Sequence, residues 1–422
     1  MPFSASVVAA ARCQLTDQFE DFHMPNLIER FQQYFQPVKP LHPGVYHYQA
    51  PPDDPRNYRL HLRIEPDGSG LLIVNASTIL HLNQTATEYA YSLIQGMSDE
   101  DAAKIMAARY HVDPEQARRH YRELVDRIDT LVSSPDLDPV TFLDFERATP
   151  FSGALSAPYR LDCALTYNLP ASIVTGSTEA YATSPAPVDR VTRELTTAEW
   201  ITLLDKAWEV GIPHIVFTGG EPTLRDDLPD LIRHAEQNNQ VTGLLTDGER
   251  LADSEYLNTL LQTGLDHLML VLQPENQAAW EALHNALAAD LFVAVHLTMT
   301  SFNQSSIPQV LDKLAAIGVT AVSLSAADPS LAEELQDLRD LASHHNMELV
   351  WNLPVPYSAT NPVSLELQGT SNAADLARDA GDAWLYIEPD GDVLPGQGIP
   401  RKLGNMLRDP WESIWENAQK TP

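Results

Sequence analysis

From residue 159 onward the apolar positions follow two alternating rhythms. Short runs rich in Leu, Val and Ile, "YRLDCALTY", "HIVFTG", "VTGLLTD", "HLMLVLQ", "LFVAVHLTMT" and "AVSLSAA", read as buried strands. Between them lie helical periods such as "TAEWITLLDKAWEVG", "DLPDLIRHAEQ", "SEYLNTLLQTG", "NQAAWEALHNALAA", "IPQVLDKLAAIG" and "SLAEELQDLRDLASHH", and a further run, "MELVWNLP", follows. Repeated βα units of this length predict an α/β fold with a parallel sheet. The expected closure is a partial or complete (β/α) barrel over residues 159–353, with its site in the loops at the strand C-termini.

Residues 41–132 carry a different pattern. "YRLHLRIEP" and "LLIVN" flank an Asp67-Gly68 turn, a strong hairpin signal, and "STILHLN" adds a third strand. Three helices should follow: one ended by Gly96, one capped by Ser98 with acids in its first turn, and one opened by Asp113 with Pro114 at its first position. Strands followed by helices make a small winged-helix-like unit. Residues 1–40 form an N-terminal segment of little pattern, and residues 133–158, rich in Pro, Ser and Asp, read as a linker. The tail, 354–422, holds a hairpin about "PDG" in "WLYIEPDGDVLPGQG" and a short amphipathic helix in "DPWESIWENA".

Charge narrows the list of partners. Against 27 basic side chains stand 58 acidic ones, a formal net charge of −31 in 422 residues. Such a chain repels phosphate backbones and anionic membranes, so neither nucleic acid nor a membrane surface is an expected partner; the acidic excess reads first as solubility and second as an acidic face for a basic peptide or partner. No stretch has the length and apolarity of a spanning helix, and the N-terminus lacks a basic n-region, so a cytoplasmic location is expected. The two cysteines, Cys13 and Cys163, exclude a disulfide framework and a Cys-rich metal site.

The chemistry-bearing stretch is "HIVFTGGEPTLR", residues 214–225. Two glycines at a strand C-terminus let the backbone approach a ligand or another chain segment closely. With "LLTDGERL" after the next strand and the βα array around it, this stretch resembles the radical S-adenosylmethionine (SAM) superfamily, in particular its peptide-modifying members. "YIEPDGDVLPGQG…LGNMLRDPWESIWENA" resembles the SPASM or twitch extension of those enzymes, and the 41–132 unit resembles the PqqD-like peptide-recognition domain of ribosomal-peptide maturation. The resemblance implies a SAM motif at Gly219, Gly220, Glu221 and Pro222, with Thr246, Asp247 and Gly248 in the neighbouring turn. It also implies a 4Fe–4S cluster, and a leader peptide bound by residues 41–132.

The family's cluster loop, with cysteines spaced CxxxCxxC, follows the first barrel strand. Laid on "LTYNLPASIVTGS", the pattern puts Leu169, Ile173 and Gly176 at the cysteine positions, and no cysteine lies between 164 and 422. Soft thiolates match cluster irons, and none of these residues offers one. Further departures are Val271 and Gln273 after the fourth strand, Ser301 after the fifth, Gly396 in place of a "PC" cysteine, and Ser358 in "PYS". No catalytic residue and no metal ligand is therefore assigned. The sequence supports a non-catalytic protein that binds a peptide or serves as a scaffold or partner of a sibling enzyme, with two alternatives open. One is a SAM-binding protein that uses no cluster. The other is an enzyme of different chemistry at the old site, with Glu221, Asp247, His214 and His296 as acid–base candidates. His296, inside "FVAVHLTMT", reads first as a satisfied interior histidine. Leu169, Ile173 and Val174 are expected to cover the barrel mouth.

Overall fold

The computed structural model describes residues 38–133, 155–170, 191–350, 353–355, 360–362 and 381–420, apart from positions 52–53, 55, 57, 75–77, 290 and 382. Ile173, Val174, Gly176, Ser358 and Cys13 lie outside the described residues. The chain divides into two compact units, one ending at Ser156 and the other starting at Ala157.

The first unit is an antiparallel sheet of β1 (Gly44–Gln49), β2 (Arg59–Ile64), β3 (Gly70–Val74) and β4 (Thr78–Leu82), in that spatial order. The hairpin about Asp67 and Gly68 joins β2 to β3, and Asp67 fastens the turn by accepting from the Ser69 N–H at 2.9 Å. Strand β1 was not legible as a strand. Its sequence, GVYHYQ, has no clean alternation because it is an edge strand with both faces partly solvated. Helices α1 (Gln84–Ile94), α2 (Asp99–Tyr110) and α3 (Pro114–Ser133) follow. Asn83 caps α1 and Ser98 caps α2 through their side chains, which fixes where each helix starts. One sheet face, carrying Leu60, Leu62, Leu72 and Leu80, packs with Tyr89, Met106 and Ile128 of the helices into a single core.

The second unit is built on a sheet of order β11-β10-β9-β8-β7-β6-β5-β12-β13-β14. Its strands are β5 (Arg160–Thr166), β6 (His214–Gly219), β7 (Val241–Thr246), β8 (His267–Val271), β9 (Phe292–Met299), β10 (Ala321–Ala326), β11 (Glu348–Leu349), β12 (Trp384–Ile387), β13 (Asp392–Leu394) and β14 (Gly404–Asn405). Pairing is parallel from β11 through β5 to β12, as the βα repeat predicts, and β12, β13 and β14 are antiparallel. The connecting helices are α4 (Thr197–Glu209), α5 (Leu228–Gln237), α6 (Ser254–Gln262), α7 (Gln277–Ala288), α8 (Ile307–Ala316) and α9 (Ala332–His344), with α10 (Trp411–Gln419) near the end. Thr196 and Glu199 form a reciprocal capping box at the start of α4.

Val216, Leu245, Met269, Val271, Ala294 and Ala321, from five successive strands, meet in one cluster. Side chains on one face of a sheet converge in this way only where the sheet curls around them. Among the described residues the sheet keeps two edges, so the curl is a partial barrel, and the C-termini of its parallel strands point to one mouth. Among the described residues no helix is long and apolar enough to cross a membrane.

Candidate functional site

Strand β6 ends in Gly219 and Gly220, and the segment leaving β5 lies directly on them. The Gly220 N–H donates to the Thr166 carbonyl at 2.6 Å, and the Glu221 N–H donates to the Asn168 carbonyl at 2.8 Å. A Cβ on Gly219 would run into the Thr166 carbonyl oxygen, and one on Gly220 into that of Asn168. Gly219 also has φ +125°, a conformation that side chains resist. The close backbone approach expected from the sequence is therefore real, and here its partner is the chain's own β5 exit.

Glu221 is 1% exposed. Its Oε1 accepts from the Thr223 N–H (3.0 Å), the Thr223 hydroxyl (2.5 Å) and the Thr246 hydroxyl (2.8 Å), while Oε2 accepts from the Asp247 N–H (2.9 Å). Pro222 opens the short 3-10 turn Pro222–Leu224. The carboxylate thus ties the β6 turn to the β7 turn, so the two predicted motifs do meet. In the second motif Gly248, at φ +85°, donates to the Thr246 hydroxyl at 3.1 Å. Asp247 Oδ1 accepts from the Glu249 N–H at 2.9 Å, whereas Oδ2 is buried with no hydrogen-bond partner. Burial first, and the Glu221 charge second, push the Asp247 carboxyl up to about 9. Burial also raises Glu221.

Sequence reasoning missed a second cluster beside this turn. Glu194 accepts from the Thr166 hydroxyl at 2.5 Å and from the Tyr167 N–H at 3.3 Å. The Tyr167 hydroxyl donates to Glu388 at 2.9 Å, and the Tyr167 ring packs against Ala164, Tyr386 and Leu394. The only sequence signal was the polar Glu388 at the end of an otherwise apolar strand run.

The other candidates occupy separate places. His296 lies 1% exposed on β9, its Nδ1 3.0 Å from the Ser323 hydroxyl and its Nε2 3.0 Å from Thr298 and 3.2 Å from Ser325. Burial lowers its pKa to about 3, so it is a neutral interior histidine. His214 is the first residue of β6 and faces His267 of β8, Nε2 to Nε2, at 3.3 Å. Leu169 is half-buried, Val271 and Gly396 are buried, Gln273 is half-buried and Ser301 is exposed.

Do these residues fit a 4Fe–4S cluster? Cys163 is fully buried in β5, paired in register with Phe217 and Ile387. Burial, and then the Asp162 charge, raise its thiol well above the usual range, so it stays protonated. With no other cysteine from 164 to 422, this unit supplies no thiolate for iron, and the residues do not fit the group.

In the first unit, β4 forms one edge of the sheet. Beside it lies a pocket of about 340 Å³ whose lining includes Leu82, Tyr89, Leu124, His81, His120 and Glu123.

Comparison with known proteins agrees with this architecture. Residues 177–274 match the model of the Radical SAM superfamily. A PqqA peptide cyclase of Streptomyces rochei is 27% identical over 268 residues, covering 56% of this chain and 71% of that protein. A PqqA peptide cyclase of Gluconobacter oxydans (strain 621H) is 35% identical over 128 residues, 30% of this chain and 34% of that protein. Among solved structures, Streptococcus suis SuiB bound to its precursor peptide SuiA superposes with a TM-score of 0.55 at 13% identity, over 87% of this chain and 88% of that one. SuiB bound to S-adenosylmethionine gives 0.54 at 14% identity, over 84% and 86%. The curled parallel sheet, the GGEP turn after its second strand and the superfamily match agree with one another: residues 177–274 carry a radical SAM domain match, set in the fold of those enzymes.

Proposed function

We propose that this protein serves peptide modification as a binding or scaffold component and does not itself generate radicals. The carrying observation is the separation of fold from chemistry. The strands, the GGEP turn and its hydrogen bonds are intact, yet residues 164–422 contain no cysteine. A cluster that three thiolates would hold has no ligands here, and the SPASM-like tail has Gly396 where an auxiliary ligand would stand. The β5 exit, where the family places its cluster loop, is instead fastened to the GGEP turn, to Glu194 and, through Tyr167, to Glu388.

The peptide half of the proposal draws on the relatives. PqqA peptide cyclases act on a peptide by name, and SuiB is solved with a precursor peptide. The first unit offers a physical route. An edge strand presents unpaired backbone groups that an extended peptide can complete, and the pocket beside β4 would receive a side chain.

Two measurements test this. After anaerobic reconstitution with iron and sulfide, the protein should hold no iron and give no heat with SAM. Iron near four per chain would overturn the non-radical reading, and SAM binding without iron would favour a cluster-free SAM protein. A fluorescent PqqA-type peptide should bind the full chain and be released by Ile79→Pro on β4. Absence of binding would sink the peptide reading.

A further inference from the structure

Phe302 is 88% exposed, far more than any other large apolar side chain among the described residues, of which the next, Phe292, stands at 49%. An isolated exposed aromatic needs no explanation on a loose loop. This one sits on a stiff loop. Asn303, 9% exposed, accepts through Oδ1 from the Thr300 N–H at 2.7 Å and donates through Nδ2 to the Thr298 carbonyl at 2.9 Å. The Phe302 N–H donates to the Thr300 hydroxyl at 3.3 Å, and Gln304 and Ser306 close turns onto Thr300 and Asn303. The backbone that carries the ring is thus fastened by a buried amide, so docking costs little loop ordering beyond the ring's own rotamer freedom.

Its surroundings select a partner. The loop follows β9, whose neighbours are β8 and β10. The loop after β8 carries exposed Glu275, and the loop after β10 carries exposed Asp328. Hydrogen bonds from the Ser330 hydroxyl and N–H hold the Asp328 carboxyl below the usual carboxylate range, so it is ionised. Segments 272–276, 300–306 and 327–331 contain no Lys or Arg. Three loops adjacent in strand order, at one end of the sheet, therefore carry an exposed aromatic residue in the middle one and an exposed acid in each of the outer two, with no Lys or Arg in the three segments. A planar cation is what such a face attracts, through the ring quadrupole and the flanking carboxylates together.

We infer that Phe302, with Glu275 and Asp328, is the docking face for a basic polypeptide segment that stacks an arginine on the ring. This surface goes beyond the peptide site proposed at β4, lies in the other unit and stands or falls without it.

The test is fluorescence anisotropy of the full chain with two labelled probes, Gly-Arg-Gly-Arg-Gly-Arg-Gly and its citrulline counterpart, at low salt. The arginine probe should bind and the citrulline probe should not. Phe302→Ala, which leaves the charge unchanged, should weaken arginine-probe binding about fivefold, and Phe302→Trp should retain it. Glu275→Gln with Asp328→Asn should weaken it as well. Unchanged binding by Phe302→Ala would mean that the field of a −31 chain alone holds the probe, and would overturn the proposal. Equal binding of both probes, or binding of neither, would overturn it too. Circular dichroism confirms that the surface variants are folded.

Discussion

The backbone N–H of Asp247 donates to Glu221, and the Asp247 carboxyl is buried in the same turn. Glu221's other donors, from Thr223 and Thr246, are neutral as well. Two carboxyl groups in so dry a place cannot both ionise cheaply, so the structure keeps a proton on Asp247. The folded-state pKa, about 9, lies above the unfolded value near 3.8. The stability this proton supplies is complete below the unfolded value and is lost as pH rises through the folded one, at up to about 1.4 kcal/mol per pH unit in between. Asp247→Asn, which keeps the acceptor for Glu249 and places an amide donor in the turn, should therefore be more stable than wild type at pH 8. The gap should widen from pH 6 to pH 9 in urea titrations, by at most about 4 kcal/mol over those three units. A gap independent of pH would rule out the buried proton.

Buried histidines set the acid limit. Burial lowers His267 to about 4 and His296 to about 3, and His214 falls well below its usual value, aided by the His267 charge. Folded-state values below the unfolded 6.5 mean that the unfolded chain takes up protons first as pH falls. The stability these neutral rings contribute is present above pH 6.5 and declines below it. Chemical denaturation at pH 7, 5.5 and 4.5 should show a steep decline, and His296→Gln should make it shallower by about one proton.

Gly220→Ala should destabilise the second unit by several kcal/mol, roughly 3 or more, because its methyl would strike the Asn168 carbonyl oxygen, a backbone atom that hydrogen bonds hold in place. Gly96→Ala meets nothing within 4 Å and bears only the left-handed strain of φ +67°, about 1 kcal/mol. Thermal melts of the two variants should separate the two costs.

Much of this was readable in advance, for identifiable reasons. The parallel order from β5 to β10 follows from apolar runs alternating with helical periods, because strands buried on both faces are continuous apolar stretches. The Asp67-Gly68 hairpin and the Ser98 start of α2 are local chemistry, written in neighbouring residues, whereas the Asn83 cap of α1 was passed over because Asn83 closes an apolar strand run. The Gly219-Gly220 pair announced a close approach but not its partner, since Thr166 and Asn168 lie some fifty residues earlier. Tyr167 and Glu388, 221 positions apart, carry no mutual sequence signal. Their meeting depends on β12 pairing beside β5, and no hydrophobic rhythm specifies which strand lies at which edge.

That last pairing also governs how the molecule can be made. Strand β5 acquires its neighbour β12 from a segment roughly two hundred residues downstream, so a ribosome must add nearly the whole second unit before that flank is covered. At cellular elongation rates the wait is roughly ten to forty seconds. Throughout it, an apolar strand stands with one side open to any other nascent chain. Truncation before Trp384 would make that exposure permanent, and the product would be a substrate for chaperones.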